Sequence, residues 1–171
     1  MSMHTIKLLN SGSADEIMKL IARATATLDE KGIPQWDEIY PDRGTIARDL
    51  ESETLYGLMD ENTIAGILVL NEKQDREYSE VAWALDDEKP LVLHRLCLCP
   101  DYQGRGLSKV MMEFVEDYAR KNGYRSIRLD AFTLNPISLS LYRSRGFAAR
   151  GEVSFRKGRF ICFEKILVSE S

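Results

Sequence analysis

The chain has 171 residues, of which 44% are hydrophobic and 29% charged, and its net charge is −4. This size and composition predict one globular domain over residues 1–171 with a sizeable core. No apolar run reaches the roughly 20 residues of a membrane span, and the N-terminal residues lack an apolar signal core. Three cysteines, an odd number, argue against a disulfide framework. We therefore expect a cytoplasmic protein that does not bind membranes.

Charge is distributed unevenly along the chain. Residues 1–100 contain 10 Lys or Arg and 19 Asp or Glu, a net of −9, whereas residues 101–171 contain 13 and 8, a net of +5. The basic half suits a polyanionic cofactor and the acidic half a cationic acceptor, although ordinary solvated surface charge gives the same pattern. The overall acidity argues against general nucleic-acid binding.

The first half of the chain predicts a strand, two helices and several further strands. Ser13 and Glu16 form a potential capping box for the first helix, which Gly32 and Pro34 end. The predicted elements are the strand His4–Leu9, a helix from Ala14 to about Glu30, a short helix from Gly44 to about Leu50, the hairpin strands Thr54–Met59 and Thr63–Leu70, a third strand Tyr78–Leu85 and a buried strand Leu91–Cys99.

The second half begins with the clearest helical pattern of the chain. Its apolar residues recur at helical spacing from Leu107 to Ala119, and Asn122-Gly123 is typical of a C-cap. The elements predicted after it are the strand Ser126–Phe132, a helix Pro136–Arg145 with Asn135 at its N-cap, and the final hairpin Phe147–Phe155 and Arg159–Val168. This order predicts a mixed α/β sheet with one parallel crossover.

Two glycines, Gly104 and Gly106, lie between the strand that ends at Cys99 and the amphipathic helix. Glycines let backbone N–H groups approach a ligand, and the first N–H groups of a helix attract anions, so this arrangement can bind a phosphate. It is neither a P-loop nor a dinucleotide fingerprint, which would need glycine in place of Lys109. Taken alone, the glycines favour a turn that packs the helix on the strand.

The downstream residues give the loop a more specific meaning. Pro100-x-x-Gln103-Gly104-x-Gly106, followed by Asn135, Leu141-Tyr142 and Gly146-Phe147, resembles the GCN5-related N-acetyltransferases, the GNAT family, over about residues 91–165. The resemblance implies a mixed α/β, mostly antiparallel sheet of about six or seven strands, splayed in the middle and flanked by about four helices. It also implies acetyl transfer from acetyl-coenzyme A to a primary amine by direct attack, without a metal.

In such enzymes the loop amides bind the pyrophosphate, and the pantetheine arm lies along the preceding strand near a bulge. A main-chain N–H near Leu98 would then polarise the thioester carbonyl. Ser108 stands where many relatives carry Gly or Ala, which we expect to retune affinity modestly. Asn135 either contacts the pantetheine or only caps its helix. The implied cofactor-binding residues are Leu96, Cys97, Leu98, Gln103, Gly104, Arg105, Gly106, Leu107, Ser108, Lys109, Asn135 and Tyr142.

By the same resemblance, Tyr142 is the acid that protonates the leaving thiolate; the alternative is that it only packs on the sheet. An amine is mostly protonated at neutral pH, so a base must take its proton. Asp130, on the strand after the long helix, is the first candidate, because relatives that acetylate ribosomal-protein N-termini carry a carboxylate there. Glu80, on the predicted third strand, is the second and would act through water. For both carboxylates, a solvated or salt-bridged role is the alternative.

Trp36, Tyr40 and Trp83 are candidate acceptor-binding residues; the alternative, favoured for Trp83, is that they anchor loops on the core. His94 is predicted to be hydrogen-bonded in the core rather than a base. Two histidines and no C-x-x-C argue against a metal site, and Cys97 and Cys99 are expected to be inert.

A small-molecule amine or amino acid is favoured over a protein N-terminus as the acceptor. The alternative function is a non-catalytic module that binds acyl-coenzyme A and regulates a partner. A homodimer is common among similar proteins.

Overall fold

The computed structural model describes residues 4–167, whose strands form a seven-stranded mixed sheet with four α-helices, as the sequence predicted. The strand order is β1-β2-β3-β4-β5-β7-β6. The elements are β1 His4–Leu8, α1 Ala14–Glu30, α2 Arg43–Glu51, β2 Leu55–Asp60, β3 Thr63–Asn71, β4 Leu91–Leu98, α3 Leu107–Lys121, β5 Ser126–Phe132, α4 Pro136–Ser144, β6 Ala148–Phe155 and β7 Gly158–Ile166. Val168, the last residue of the predicted final strand, lies outside the described residues. Within residues 4–167, no helix combines the length and apolar character needed to cross a bilayer.

The backbone divides into two compact units. The N-terminal unit comprises Met1–Leu70 and Arg95–Met111, and the C-terminal unit comprises Asn71–His94 and Met112–Ser171, in each case as far as the described residues extend. Strand β4 and helix α3 each contribute residues to both units. The single domain over residues 1–171 stays a prediction.

The N-terminal unit is built on the antiparallel strands β1, β2 and β3. His4 pairs with Asp60, and Leu55 pairs with Val69. Because side chains alternate along a strand, one face of these three strands can pack against a helix. The apolar stripe of α1 covers it, and complete burial of a side chain such as Ile17 contributes about 1.5–3 kcal/mol. The principal core residues are Ile17, Leu20, Ile21, Ala24, Trp36, Ile46, Leu50, Leu55, Ile67 and Val69.

The C-terminal unit is built on β5, β7 and β6, which pair antiparallel, while Leu91 at the start of β4 pairs in parallel with Ile127 of β5. In this register Asp130 is opposite Cys162, and Arg128 is opposite Glu164. Because side chains alternate along a strand, these four residues share one face of the sheet.

Two local predictions were wrong. Ser13 makes no capping hydrogen bond from its side chain, because the 3₁₀ turn Ser11–Ser13 runs directly into α1 and holds Ser13 in a helical rather than an extended conformation. The predicted strand Tyr78–Leu85 is instead the end of a 3₁₀ helix, Arg76–Glu80, followed by an irregular segment. The backbone N–H groups of Ala84 and Leu85 bond to the Glu164 carboxylate, a partner that the local sequence does not reveal.

Candidate active site

The loop after β4 holds both of its glycines in the left-handed region, with φ of +79° at Gly104 and +75° at Gly106. Side chains rarely adopt this conformation, which explains the glycines. A Cβ built on either residue meets no atom within 4 Å. The glycines are therefore needed for the backbone conformation and not for packing within the chain, and the space before the loop is open to a ligand.

The loop is anchored on the residues around it. The Gln103 side-chain amide donates to the Leu98 carbonyl at 3.4 Å, and the Tyr102 hydroxyl donates to Asp60 at 2.7 Å. Helix α3 starts immediately afterwards with the buried Leu107, so its unpaired N–H groups follow the glycines directly. Arg105, over the Tyr102 ring, adds positive charge. This combination of amides, positive helix end and arginine fits a pyrophosphate.

Strand β4 is distorted at Arg95, a non-glycine residue with φ of +52°. Such a conformation costs about 1–2 kcal/mol, and the Arg95 side chain explains how it is held. Its guanidinium donates to both carboxylate oxygens of the buried Asp49, at 2.8 and 2.7 Å, and to the Tyr40 hydroxyl at 2.7 Å. The distortion immediately precedes Leu96, Cys97 and Leu98, in the segment where the resemblance implied a bulge; the bulge itself stays a prediction.

The acceptor-binding candidates of the N-terminal unit have different environments. Trp36 is only 7% exposed and belongs to the core cluster, which favours the anchoring role. Tyr40 is 40% exposed, with its hydroxyl bonded to Arg95. The sequence predicted an aromatic loop that contains Tyr40, but it did not reveal the hydrogen bond between Tyr40 and Arg95.

Asp130 lies half-buried on β5 and accepts a hydrogen bond of 2.6 Å from the Tyr78 hydroxyl. Burial, and then the Asp130 carboxylate, raise the pKa of Tyr78 well above its ordinary value of 10.0. Tyr78 therefore stays protonated at neutral pH and donates to Asp130. Sequence reasoning missed Tyr78, because its partner is 52 residues away and the segment was predicted to be a strand.

Tyr142 is buried on α4, where its ring contacts those of Phe147 and Phe163. Burial, and then the negative charge of Asp130, raise the pKa of Tyr142 above its ordinary value. Tyr142 is thus a protonated phenol that can donate to a ligand.

Glu80 does not occupy the predicted position. It is the exposed last residue of the 3₁₀ helix Arg76–Glu80 rather than part of a strand, because the chain turns there instead of extending. Asp130 is the candidate base with a defined hydrogen-bonded setting, and Tyr78, two residues before Glu80, provides the contact to it.

The remaining candidates have structural partners. The Asn135 side chain caps α4 by accepting from the Ser138 N–H at 3.2 Å, which confirms the capping role; contact with a cofactor stays a prediction. His94 Nε2 lies 2.8 Å from the Asn71 side-chain oxygen, as expected for a hydrogen-bonded histidine. Burial is the main reason that the pKa of both Cys97 and Cys162 is raised to about 12. Residues 4–167 contain no group of His, Cys, Asp or Glu suited to a metal ion.

An open cavity of about 640 Å³ lies in the C-terminal unit beside Tyr78. Arg128 forms part of its wall, stacks 4.2 Å from the centre of the Trp83 ring, and donates to Gln74 at 2.7 Å and to the Leu85 carbonyl at 2.9 Å. Trp83 in turn donates to the Tyr78 carbonyl at 2.9 Å. Trp83 is therefore anchored, and it also lines a cavity. The charged lining residues are Asp75, Arg76, Asp86, Asp87 and Arg128.

Comparison with known proteins assigns the family. The model of the acetyltransferase (GNAT) family matches residues 17–147, so the chain belongs to the GNAT family of acetyltransferases. It is similar to N-acetyltransferase 8B of Homo sapiens, with 32% identity over 68 residues, which are 40% of this chain and 30% of that protein. The match therefore spans about a third of the length of that relative.

Solved structures show the same fold. A GNAT acetyltransferase of Streptococcus agalactiae superposes with a TM-score of 0.85 at 22% identity, over 97% of this chain and 96% of that one. The PaiA N-acetyltransferase of Thermoplasma acidophilum, solved in complex with coenzyme A, has a TM-score of 0.70 at 18% identity, over 96% of this chain and 99% of that one.

Proposed function

We propose that this chain transfers an acetyl group from acetyl-coenzyme A to the primary amine of a small molecule or amino acid. The observation that carries the proposal is the loop of Gly104 and Gly106, whose left-handed backbone and open approach precede the first turn of α3. A GNAT structure with this fold was solved with coenzyme A bound, which supports the same cofactor here.

Two parts of the chain would hold the cofactor, which supplies the reactive acetyl thioester. The amides from Gly104 to Lys109, with the Arg105 side chain, would bind the pyrophosphate, and the backbone of Leu96 to Leu98 would pair with the pantetheine arm. The Leu98 N–H would donate to the thioester carbonyl oxygen as negative charge develops there. Asn135 is proposed to contact the same arm while it caps α4.

Asp130 and Tyr142 divide the proton transfers between them. Asp130 would accept the proton of the acceptor ammonium group, so that the neutral nitrogen could attack the acetyl carbon, and the second proton of the nitrogen would pass to solvent as the carbon–sulfur bond breaks. Tyr142 would donate its proton to the departing sulfur and regain one from solvent. The raised pKa of Tyr142 supports this role, because an acid must keep its proton until the leaving group needs it.

The charges near Tyr78 support a cationic acceptor. Three carboxylates and two guanidinium groups line the cavity, and Arg128 already bonds to Gln74 and Leu85. The acidic residues outnumber the basic ones by one, although Asp87 also accepts from Ser126, and Tyr78 connects this lining to Asp130. The volume of about 640 Å³ lies within the range of about 300–1,000 Å³ that small-molecule sites occupy.

Substitution of Tyr142 by Phe tests the proposal. Loss of a general acid costs about 10²–10⁴-fold in kcat, whereas the retained ring preserves packing, so the KM for the cofactor should change far less. The matched control is Tyr124→Phe, since the Tyr124 hydroxyl contacts Glu72 on the same unit. Amine-dependent release of the coenzyme A thiol is the readout. Equal turnover of Tyr142→Phe and wild type across neutral pH would refute the acid role.

A further inference from the structure

The connection between β3 and β4, residues 72–90, is much longer than the two to five residues of an ordinary hairpin loop. The side chains of alternate residues on one face of β5 fasten it. Ser126 donates to Asp87 at 2.8 Å, Arg128 donates to the Leu85 carbonyl at 2.9 Å, and Asp130 accepts from Tyr78 at 2.6 Å. Connections of this length that are ordered in a compact protein usually have a function.

These attachments are not equivalent. Those of Ser126 and Arg128 hold the connection without using the Asp130 carboxylate, and Glu164 adds bonds to the N–H groups of Ala84 and Leu85. Tyr78 alone among these contacts reaches Asp130. Its ring is only 2% exposed and packs against Trp83, with ring centres 5.4 Å apart, so its hydroxyl is held in one direction.

We propose that Tyr78 is a positioning residue for acetyl transfer: its hydroxyl holds Oδ2 of Asp130 and thereby fixes the carboxylate that receives the proton of the acceptor amine. This inference rests on the proposed role of Asp130 as the base. A carboxylate fixed in one rotamer meets the amine without first losing conformational freedom. The connection of residues 72–90 thus contributes to the chemistry through Tyr78.

The groups around Asp130 determine the sign of the expected effect. Tyr78 donates to it from the connection, Cys162 lies opposite it on β7, its charge acts on Tyr142 of α4, and Asp75 acts in turn on Tyr78 and Cys162. The Tyr78 hydroxyl donates to the ionised carboxylate at 2.6 Å. Removal of that donor destabilises the carboxylate and raises the pH at which it ionises.

The test compares Tyr78→Phe with Ser126→Ala, which also removes one attachment of the connection but leaves Asp130 untouched. The first readout is the titration of the Asp130 side-chain carboxyl carbon by NMR in the protein without ligand. We expect the midpoint to rise by about one pH unit in Tyr78→Phe and to stay at the wild-type value in Ser126→Ala. The acid limb of the pH profile of kcat/KM should move in the same direction.

An unchanged midpoint in Tyr78→Phe, or an equal rise in both variants, would overturn the inference, because the contact would then be merely structural. Asp130→Asn separates this inference from the proposed base. Acetyl transfer retained in Asp130→Asn would overturn the base assignment and the positioning role with it. Loss of acetyl transfer in Asp130→Asn, together with a rise of the Asp130 midpoint in Tyr78→Phe but not in Ser126→Ala, would support both the base assignment and the positioning role.

Discussion

Replacement of Gly106 by alanine separates the binding role of the glycine loop from its backbone conformation. Gly106 and Gly123 both have φ of +75°, and a Cβ at either position meets no atom within 4 Å. Gly123 ends α3, whereas Gly106 precedes it. The left-handed conformation costs an alanine about 1–2 kcal/mol, so both variants should lose similar stability, about 2–8 °C in Tm.

Only Gly106→Ala should weaken cofactor binding, because the added methyl group enters the open space in which the pyrophosphate is proposed to lie. Loss of one or two hydrogen bonds to a charged phosphate, at about 1.5–3 kcal/mol each, predicts an affinity at least about 10-fold lower. Calorimetric titration with coenzyme A gives the affinity, and thermal unfolding gives the stability. Equal affinities for the two variants, with equal losses in Tm, would refute the assignment of the loop.

Two further predictions concern the buried groups. Asp49→Ala leaves the Arg95 guanidinium buried without its carboxylate, so it should lower the free energy of unfolding by urea by about 3–5 kcal/mol. The control Asp15→Ala breaks an exposed pair with Arg43 and should cost about 1 kcal/mol or less. Equal losses in the two variants would contradict the role of Arg95 and Asp49. Because the pKa of Cys162 is raised from 9.0 to about 12, its thiol should resist iodoacetamide at neutral pH and react faster as the pH rises. Rapid alkylation of Cys162 in the folded protein at pH about 7 would contradict its burial.

The sequence predicted most of the fold because its signals are local. The apolar spacing of α3 and the Asn122-Gly123 pair give both the helix and its end, and the structure confirms Gly123 with a positive φ. Asn135-Pro136 predicts the start of α4 in the same way. The glycine loop was also predictable, since Gly104 and Gly106 are the residues that a left-handed backbone requires.

The features that the sequence did not reveal depend on distant partners. Tyr78 and Asp130 are 52 residues apart. The segment Tyr78–Leu85, predicted to be a strand, is instead bonded to side chains of β5 and β7. The left-handed conformation of Arg95 also depends on a distant partner, because Asp49, whose ion pair holds the Arg95 side chain, is 46 residues away in the sequence. Helix and strand periodicity carry no information about such side-chain contacts.

The most direct test of the proposed function is to measure acetyl transfer itself. Purified protein is incubated with acetyl-coenzyme A and a panel of small diamines, amino acids and a peptide with a free N-terminus, and thiol release is followed together with the mass of each acceptor. Amine-dependent thiol release, with an equal amount of an acceptor heavier by one acetyl group, is the predicted result. Calorimetric binding of coenzyme A without thiol release for any amine would contradict the account and favour a non-catalytic binding protein.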